Sequence, residues 1–431
     1  MTGISIENGR LIDPANGVDR TANLYVEDGF VVGIDKAPDG FKAASRIDAS
    51  GMIVCPGLID LRARLREPGQ EHKATMASEI DAAVAGGITT LSVPPDTFPP
   101  IDTPAMAQMI QQKAWQIGKT FIHPLGALTQ GLEGEYLTDM AALGEAGCVG
   151  VSNALRAVTD TIVMRRAMQY ASTFDLTVFL HAQDPWLQGN GCVHEGEVST
   201  RLGLPAIPEA AETVGVGREL ALMETTGARC HFNGLSTARS VDMIARAQQD
   251  GIPVSADVTA HHLHLTEHDI GFFNTQCHVI PPLRSSRDRD RLLEGIRDGT
   301  ISAVCSDHQP HEADAKLAPF GESAPGISGL ETLLPLTLRL VADKVVDLPR
   351  AVALLTMEPA KILGVDAGHL GVGATADVCI FDPEEEWTLD RRALVSLGKN
   401  SPFQGWPLKG RVRYTLVGGE VVFDATSRAE I

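Results

Sequence analysis

The sequence predicts an α/β fold: a (β/α)8 barrel with a small β domain built from both termini. Three observations lead there. Eight short apolar runs alternate with helix-like segments rich in Ala, Leu, Arg and Glu through the middle of the chain. Both ends instead alternate apolar and polar residues, as half-buried strands do. An open doubly wound sheet is the competing architecture, and no G-x-G-x-x-G follows the first run to support it.

The expected domains follow chain order. Residues 1–52 form the N-terminal part of the β domain, in which ISIENGRLID and NLYVEDGFVVGI read as strands joined by Asn-Gly and Asp-Gly turns. Residues 53–365 form the barrel. Its strands are expected near Leu58–Leu65, Thr89–Val93, Thr120–Ala127, Val149–Ser152, Thr177–His181, Arg229–Leu235, Val254–Val258 and Ile301–Cys305. Residues 366–431, with ADVCIFDP and GRVRYTLVGGEVVFD, complete the β domain. Glu384–Glu386 reads as a solvated turn, and Trp186 and Trp406 as packing residues.

A chain of 431 residues with 44% hydrophobic residues can bury a large core. Its formal net charge of −19 argues against nucleic acid or an anionic membrane as partner, since both need clustered positive charge. Seven scattered cysteines without a C-x-x-C pair suit reduced thiols in the cytoplasm. The start MTGISIENGRLIDP has no signal-peptide pattern, and no apolar stretch is long enough to span a bilayer.

Barrel chemistry sits at the C-terminal ends of the strands. The residues just past each run are Arg62 and Arg64, Asp96, Asn153, His181, Gly234, Asp257, and Asp307 with His308. Two long connections share that face: PPDTFPPIDTP, Pro94–Pro104, and the Gly- and Pro-containing flap Ser306–Gly326.

These strand ends lie in blocks that run in order along nearly the whole chain: PGLIDLRARLREPG, PPDTFPPID, HEGEVSTRLGLPAIP, DVTAHHLHLT, PPLRSSRD, SDHQPH, APGISGLETLLPL and LKGRVRYTLVGGEVV. The chain resembles dihydroorotase, a cyclic amidohydrolase of pyrimidine synthesis. The resemblance implies an amidohydrolase-type barrel in which zinc activates water and polarises an amide carbonyl. It also implies six ligand positions, and this sequence departs at four. Arg62 and Arg64 stand where a His-x-His belongs, Asn153 where an acid belongs, and Gly234 where a histidine belongs; only His181 and Asp307 keep ligand character. His231, one pitch earlier, reads as a packed residue, as do His261 and His262. Of the implied substrate contacts Arg66 is kept, while Asp96 and Ile280 replace asparagines.

A guanidinium has no lone pair to offer and repels a cation, so neither metal nor other cofactor is expected. Without metal charge, Asp307 would be a buried carboxylate with a large desolvation cost. Arg62 or Arg64 is therefore expected to pair with it. Without substrate to close over, the Ser306–Gly326 flap is expected to be disordered or to serve an interface.

The leading functional reading is a non-catalytic pseudoenzyme in pyrimidine biosynthesis, the assembly partner of aspartate transcarbamoylase; that partner is implied by the resemblance alone. A homodimer is the expected starting unit. Two alternatives compete. One is a residual hydrolase with one or no metal that uses His181, Asp307, His308 and His311. The other is an anion-binding sensor that uses Arg62, Arg64 and Arg66 along one strand face.

Overall fold

The computed structural model describes residues 3–426. Eight parallel strands form the barrel: β1 (Leu58–Asp60), β2 (Ile88–Val93), β3 (Phe121–Pro124, continued by Gly126–Ala127), β4 (Gly150–Ser152), β5 (Thr177–Leu180), β6 (Cys230–Phe232), β7 (Val254–Thr259) and β8 (Ala303–Cys305). Each coincides with one of the eight apolar runs. Neighbours pair in parallel from β1 to β3 and from β3 round to β8. Beyond the strand ends, the Arg64 amide donates to the His308 carbonyl at 2.9 Å and closes the ring between β8 and β1.

The helices between them carry local start and stop signals. Helix α1 (Met76–Ala85) begins at Thr75, which forms a reciprocal capping box with Ser78. Helix α2 (Pro104–Ile117) starts with proline and ends at Gly118, which takes the left-handed conformation at φ 71°. The helix Ser286–Asp298 has a second capping box between Ser285 and Asp288.

The terminal strands build one eight-stranded sheet with its own core, including Ile6, Leu11, Leu24, Val26, Ile380 and Leu416. Three expectations change here. The boundary expected at residue 53 falls inside this sheet, because Ile53–Pro56 pairs with both Gly3–Asp13 and Val378–Thr388. Asn8-Gly9 is not a turn. Gly3–Asp13 is one continuous strand with a bulge there, and a β-carbon on Gly9 would sit 2.5 Å from Val54. Glu384–Glu386 lies within the strand Val378–Thr388 at a register break, where Glu385 pairs with Arg411 and Arg413. The expected Asp28-Gly29 turn does join two strands, Val18–Glu27 and Phe30–Ile34.

The sheet is joined to the barrel by buried contacts. The Thr415 hydroxyl donates to the Val84 carbonyl at 2.7 Å. Trp406 packs as expected, with Arg339 over its ring at 5.2 Å. Trp186, expected to be a packing residue, is instead 84% exposed in the connection after β5.

Candidate functional site at the barrel mouth

The chain leaving β1 carries Arg62 and Arg64 to one side, since residues i and i+2 of an extended segment point the same way. The chain leaving β8 carries Asp307. Arg62 Nε lies 2.8 Å and Arg64 Nη1 3.0 Å from the same oxygen, Asp307 Oδ1. The expected pairing therefore involves both arginines. Gln309 Nε2 donates to the other oxygen, Oδ2, at 3.1 Å. Arg64 Nε donates to Asp96 Oδ2 at 2.8 Å, so the anion that replaces an expected asparagine has its cation beside it.

The Arg62 contact is an ion pair without a well-aligned hydrogen bond, because its close Nε–H does not point at the carboxylate oxygen. Burial works against the Arg62 charge. Asp307, then Cys305, Asp257 and Asp60, outweigh that effect and raise its pKa. For Arg64 burial is likewise opposed, first by Asp96 and then by Asp307, and the net shift is upward. Both side chains are fixed cations in the barrel mouth.

Gly234 explains how Arg62 fits. A β-carbon on Gly234 would sit 2.6 Å from Arg62 Nη2, and the residue has φ +63°. Its amide donates to Asp257 Oδ1 at 2.6 Å. Glycine thus supplies both the left-handed backbone and the room that the guanidinium fills. His231 is buried as expected, with Nε2 2.9 Å from Asp257 Oδ2 and Nδ1 2.8 Å from Ser255 Oγ.

Of the other predicted positions, His181 borders the same cavity as Arg62 and Arg64, and the rest are dispersed. His181 faces Gln183, with 2.9 Å between Nε2 and Oε1. Burial first, then the Arg62 charge, pushes its pKa down to about 4. Asn153 turns into its own loop: Oδ1 accepts from Thr129 at 2.8 Å, and Nδ2 donates to the Arg156 carbonyl at 3.0 Å. Ile280 lies outside the residues that line the mouth cavities. Arg66 has φ 64°, which breaks the strand alternation, so the three arginines do not line one strand face. Its Nε donates to the Pro310 carbonyl at 3.0 Å, and its Nη2 is 3.2 Å from His311 Nε2. Burial, then Arg64, lowers its pKa to about 10.

The flap is ordered, which removes the disordered alternative of the expectation. Asn400 Nδ2 donates to the Gln309 and Gly326 carbonyls at 2.9 and 3.0 Å. Lys316 is buried, and Nζ donates to the carbonyls of Thr275 and His278. His308 and His311 are engaged too: His308 Nε2 is 2.7 Å from Glu79, and His311 Nε2 is 2.9 Å from the Pro325 carbonyl. They do not form an acid–base set with His181 and Asp307.

Sequence reading missed Asp60 and Cys305. Asp60 accepts from the Ser306 amide at 2.9 Å and from its hydroxyl, and desolvation raises its pKa to about 7. Cys305 Sγ is 3.9 Å from Arg62 Nη2 and 3.4 Å from Asp257 Oδ1. The i−2 position of Asp60 relative to Arg62 was the available signal; Cys305 offered none.

The donor set does not fit a metal. Among the described residues no group of three His, Cys, Asp or Glu side chains could hold one. The space is small as well. Arg62, Arg64, Ser152, His181 and Asn233 border a cavity of about 10 Å³, room for roughly one water.

A barrel closed this way, joined to a sheet from both termini, defines the class: an amidohydrolase-type barrel protein. Residues 51–240 match the family model for dihydro-orotase-like proteins, and residues 321–423 match an amidohydrolase family model. A dihydroorotase-like protein of Pseudomonas putida is 47% identical over 97% of this chain and 98% of its own length. A dihydroorotase of Geobacter sp. is 43% identical over 97% of this chain and 99% of its own. The solved L-hydantoinase of Arthrobacter aurescens superposes with a TM-score of 0.88 at 26% identity, covering 98% of this chain and 96% of that one. The chain belongs to the dihydroorotase-like family of amidohydrolases.

Proposed function

We propose that this chain is a non-catalytic dihydroorotase-like protein, an assembly subunit for aspartate transcarbamoylase in pyrimidine biosynthesis. The observation that carries the loss of catalysis is the shared oxygen: Arg62 and Arg64 both sit within 3.0 Å of Asp307 Oδ1. In this reading the positions of Arg62, Arg64, Asn153, Gly234, His181 and Asp307 are a degenerate metal site, and Arg66, Asp96 and Ile280 a degenerate substrate site. A hydrolase of this kind needs a Lewis acid, or a base aimed at water, and space for a ring. Guanidiniums supply neither Lewis acid nor base at neutral pH. The same 10 Å³ cavity is too small for a carboxylate ligand, which weighs against an anion sensor. The assembly role and its partner rest on family membership. All seven cysteines are free and buried, which suits a reducing, cytoplasmic setting.

The test has two arms. Purified chain incubated with zinc and then desalted should retain less than one equivalent, and should neither hydrolyse dihydroorotate nor close carbamoyl aspartate. Light scattering on a sizing column, with aspartate transcarbamoylase from the same organism, should show one large species whose transcarbamoylase activity depends on this chain. Stoichiometric zinc with hydrolysis would refute the first claim; separate elution would refute the second.

A further inference from the structure

The loops at the barrel mouth expose large apolar side chains while the cavity beneath them is closed. Phe98 is 71% exposed on the loop after β2, Tyr136 70% after β3, Trp186 84% after β5, Phe272 89% after β7 and Leu317 79% on the flap. Isolated exposed apolar residues are ordinary on protein surfaces. Here five separate loops each raise one, on the same end of the barrel.

The loops form one braced rim. The Gly131 amide donates to Asp102 at 2.9 Å, which ties the Tyr136 loop to the Phe98 loop. Arg284 Nη1 donates to the Ile207 carbonyl at 3.0 Å, which ties the loop after β5 to the loop after β7. The Thr275 hydroxyl donates to the Lys316 carbonyl at 2.6 Å, which ties the Phe272 loop to the flap. Phe272 and Phe273 meet edge to face with centroids 5.4 Å apart. Side chains held on such a frame lose little freedom when covered.

The exposed charges on these loops are mostly acidic. Glu133, Glu135, Glu195, Glu197, Asp314 and Glu322 are exposed on the same loops. Against these six carboxylates stand Arg201 and, on the adjoining loop after β4, Arg156, both exposed. A second copy meeting this face with the same face would oppose carboxylates to carboxylates, which disfavours a two-fold pairing. A partner with apolar pockets inside a basic rim is complementary.

We infer that the barrel mouth is a protein-docking face, and that its occupant is a different protein presenting apolar surface within a rim of Lys and Arg. This rests on the assembly role proposed above, with the transcarbamoylase chain as the occupant. The old catalytic end would then have exchanged a substrate for a protein.

The experiment compares three proteins by light scattering, each alone and with aspartate transcarbamoylase. They are the unaltered chain, a mouth variant (Trp186→Ser, Phe272→Ser, Leu317→Ser) and a control at the opposite barrel end (Trp115→Ser, Phe121→Ser), where Trp115 and Phe121 are also exposed. All three changes in the mouth variant are at exposed side chains, and matching circular dichroism melts confirm folding. At least a tenfold loss of affinity in the mouth variant, an unaffected control, and weakening of the unaltered complex by added salt support the inference. Unchanged binding by the mouth variant overturns it and leaves the assembly role standing. So does a mouth variant that turns a homodimer of this chain into a monomer, which makes the face a self-contact. Failure of the unaltered chain to bind overturns both.

Discussion

Two carboxylates in this barrel illustrate different ways of burying charge. Behind the mouth, Glu79 accepts from Ser78 at 2.8 Å, Ser396 at 2.6 Å and the Leu397 amide at 3.1 Å, and lies 2.7 Å from His308. Desolvation would raise its pKa; His308 and then Ser396 and Ser78 outweigh it, so the net shift is downward. In the mouth, Asp307 faces two guanidiniums on one oxygen, while Arg64 Nη2 and Arg62 Nε lack aligned partners. The first is a hydrogen-bond network that satisfies its members; the second balances charge and leaves donors idle. The difference is between a carboxylate held by matched donors and one held by net charge. Asp307 has φ 44° and Arg66 φ 64°, a sparsely populated backbone region that costs about 1–3 kcal/mol each.

The largest test of that contrast removes the anion. Asp307→Ala leaves two buried guanidiniums opposing each other and should cost about 3–5 kcal/mol, read by urea unfolding. Replacing the cluster as a unit should behave differently. Arg62→Met, Arg64→Met and Asp307→Leu together should fall within about 1–2 kcal/mol of the unaltered protein, because an apolar set removes the desolvation cost along with the attraction. A triple variant as unstable as Asp307→Ala would show that the mouth is as integral as the Glu79 network.

A steric test comes next. Gly234→Ala should cost about 2–3 kcal/mol, from its positive φ and from the 2.6 Å approach to Arg62. In a double-mutant cycle with Arg62→Ala, about 1 kcal/mol or more should return, because only the backbone part survives. Strict additivity would mean that glycine at 234 and arginine at 62 are independent.

The smallest effect is in pH. Burial holds His262 at about 4, against an ordinary 6.5. Between those values the unfolded chain binds a proton that the folded chain refuses, so stability rises with pH across that window and is lost as pH falls from 6.5 to 4. The fully buried His262 contributes a slope of up to about 1.4 kcal/mol per pH unit. His181, also held at about 4, acts in the same direction. His262→Gln should flatten the stability profile measured between pH 4 and 6.5; an unchanged slope would assign the acid sensitivity to other groups.

All eight barrel strands were legible because each is a short apolar run between helical segments, and burial on both faces makes such runs nearly continuous. The edge of the terminal sheet was less legible. Ile53–Pro56 reads like the start of the barrel, and only its pairing with Val378–Thr388 assigns it to the other layer. Trp186 shows the same limit in reverse: an indole in the sequence suggests packing, yet its loop turns it to solvent.

By itself the sequence determined that the side chains at 62 and 64 cannot bind zinc, because residue chemistry does not depend on geometry: a guanidinium cannot be a ligand wherever it points. It also determined that Asp307 needed a counter-charge, since burying a lone carboxylate is expensive. Tertiary structure alone decided that both arginines answer Asp307, that Arg64 also takes Asp96, that Gly234 makes the room, and that Asn400 and Lys316 hold the flap shut. Those outcomes depend on ångström-scale distances between segments up to about 240 residues apart in the chain, 243 in the case of Arg64 and Asp307. Hydrogen bonds and ion pairs fall off within such distances, so only the folded positions choose among the partners.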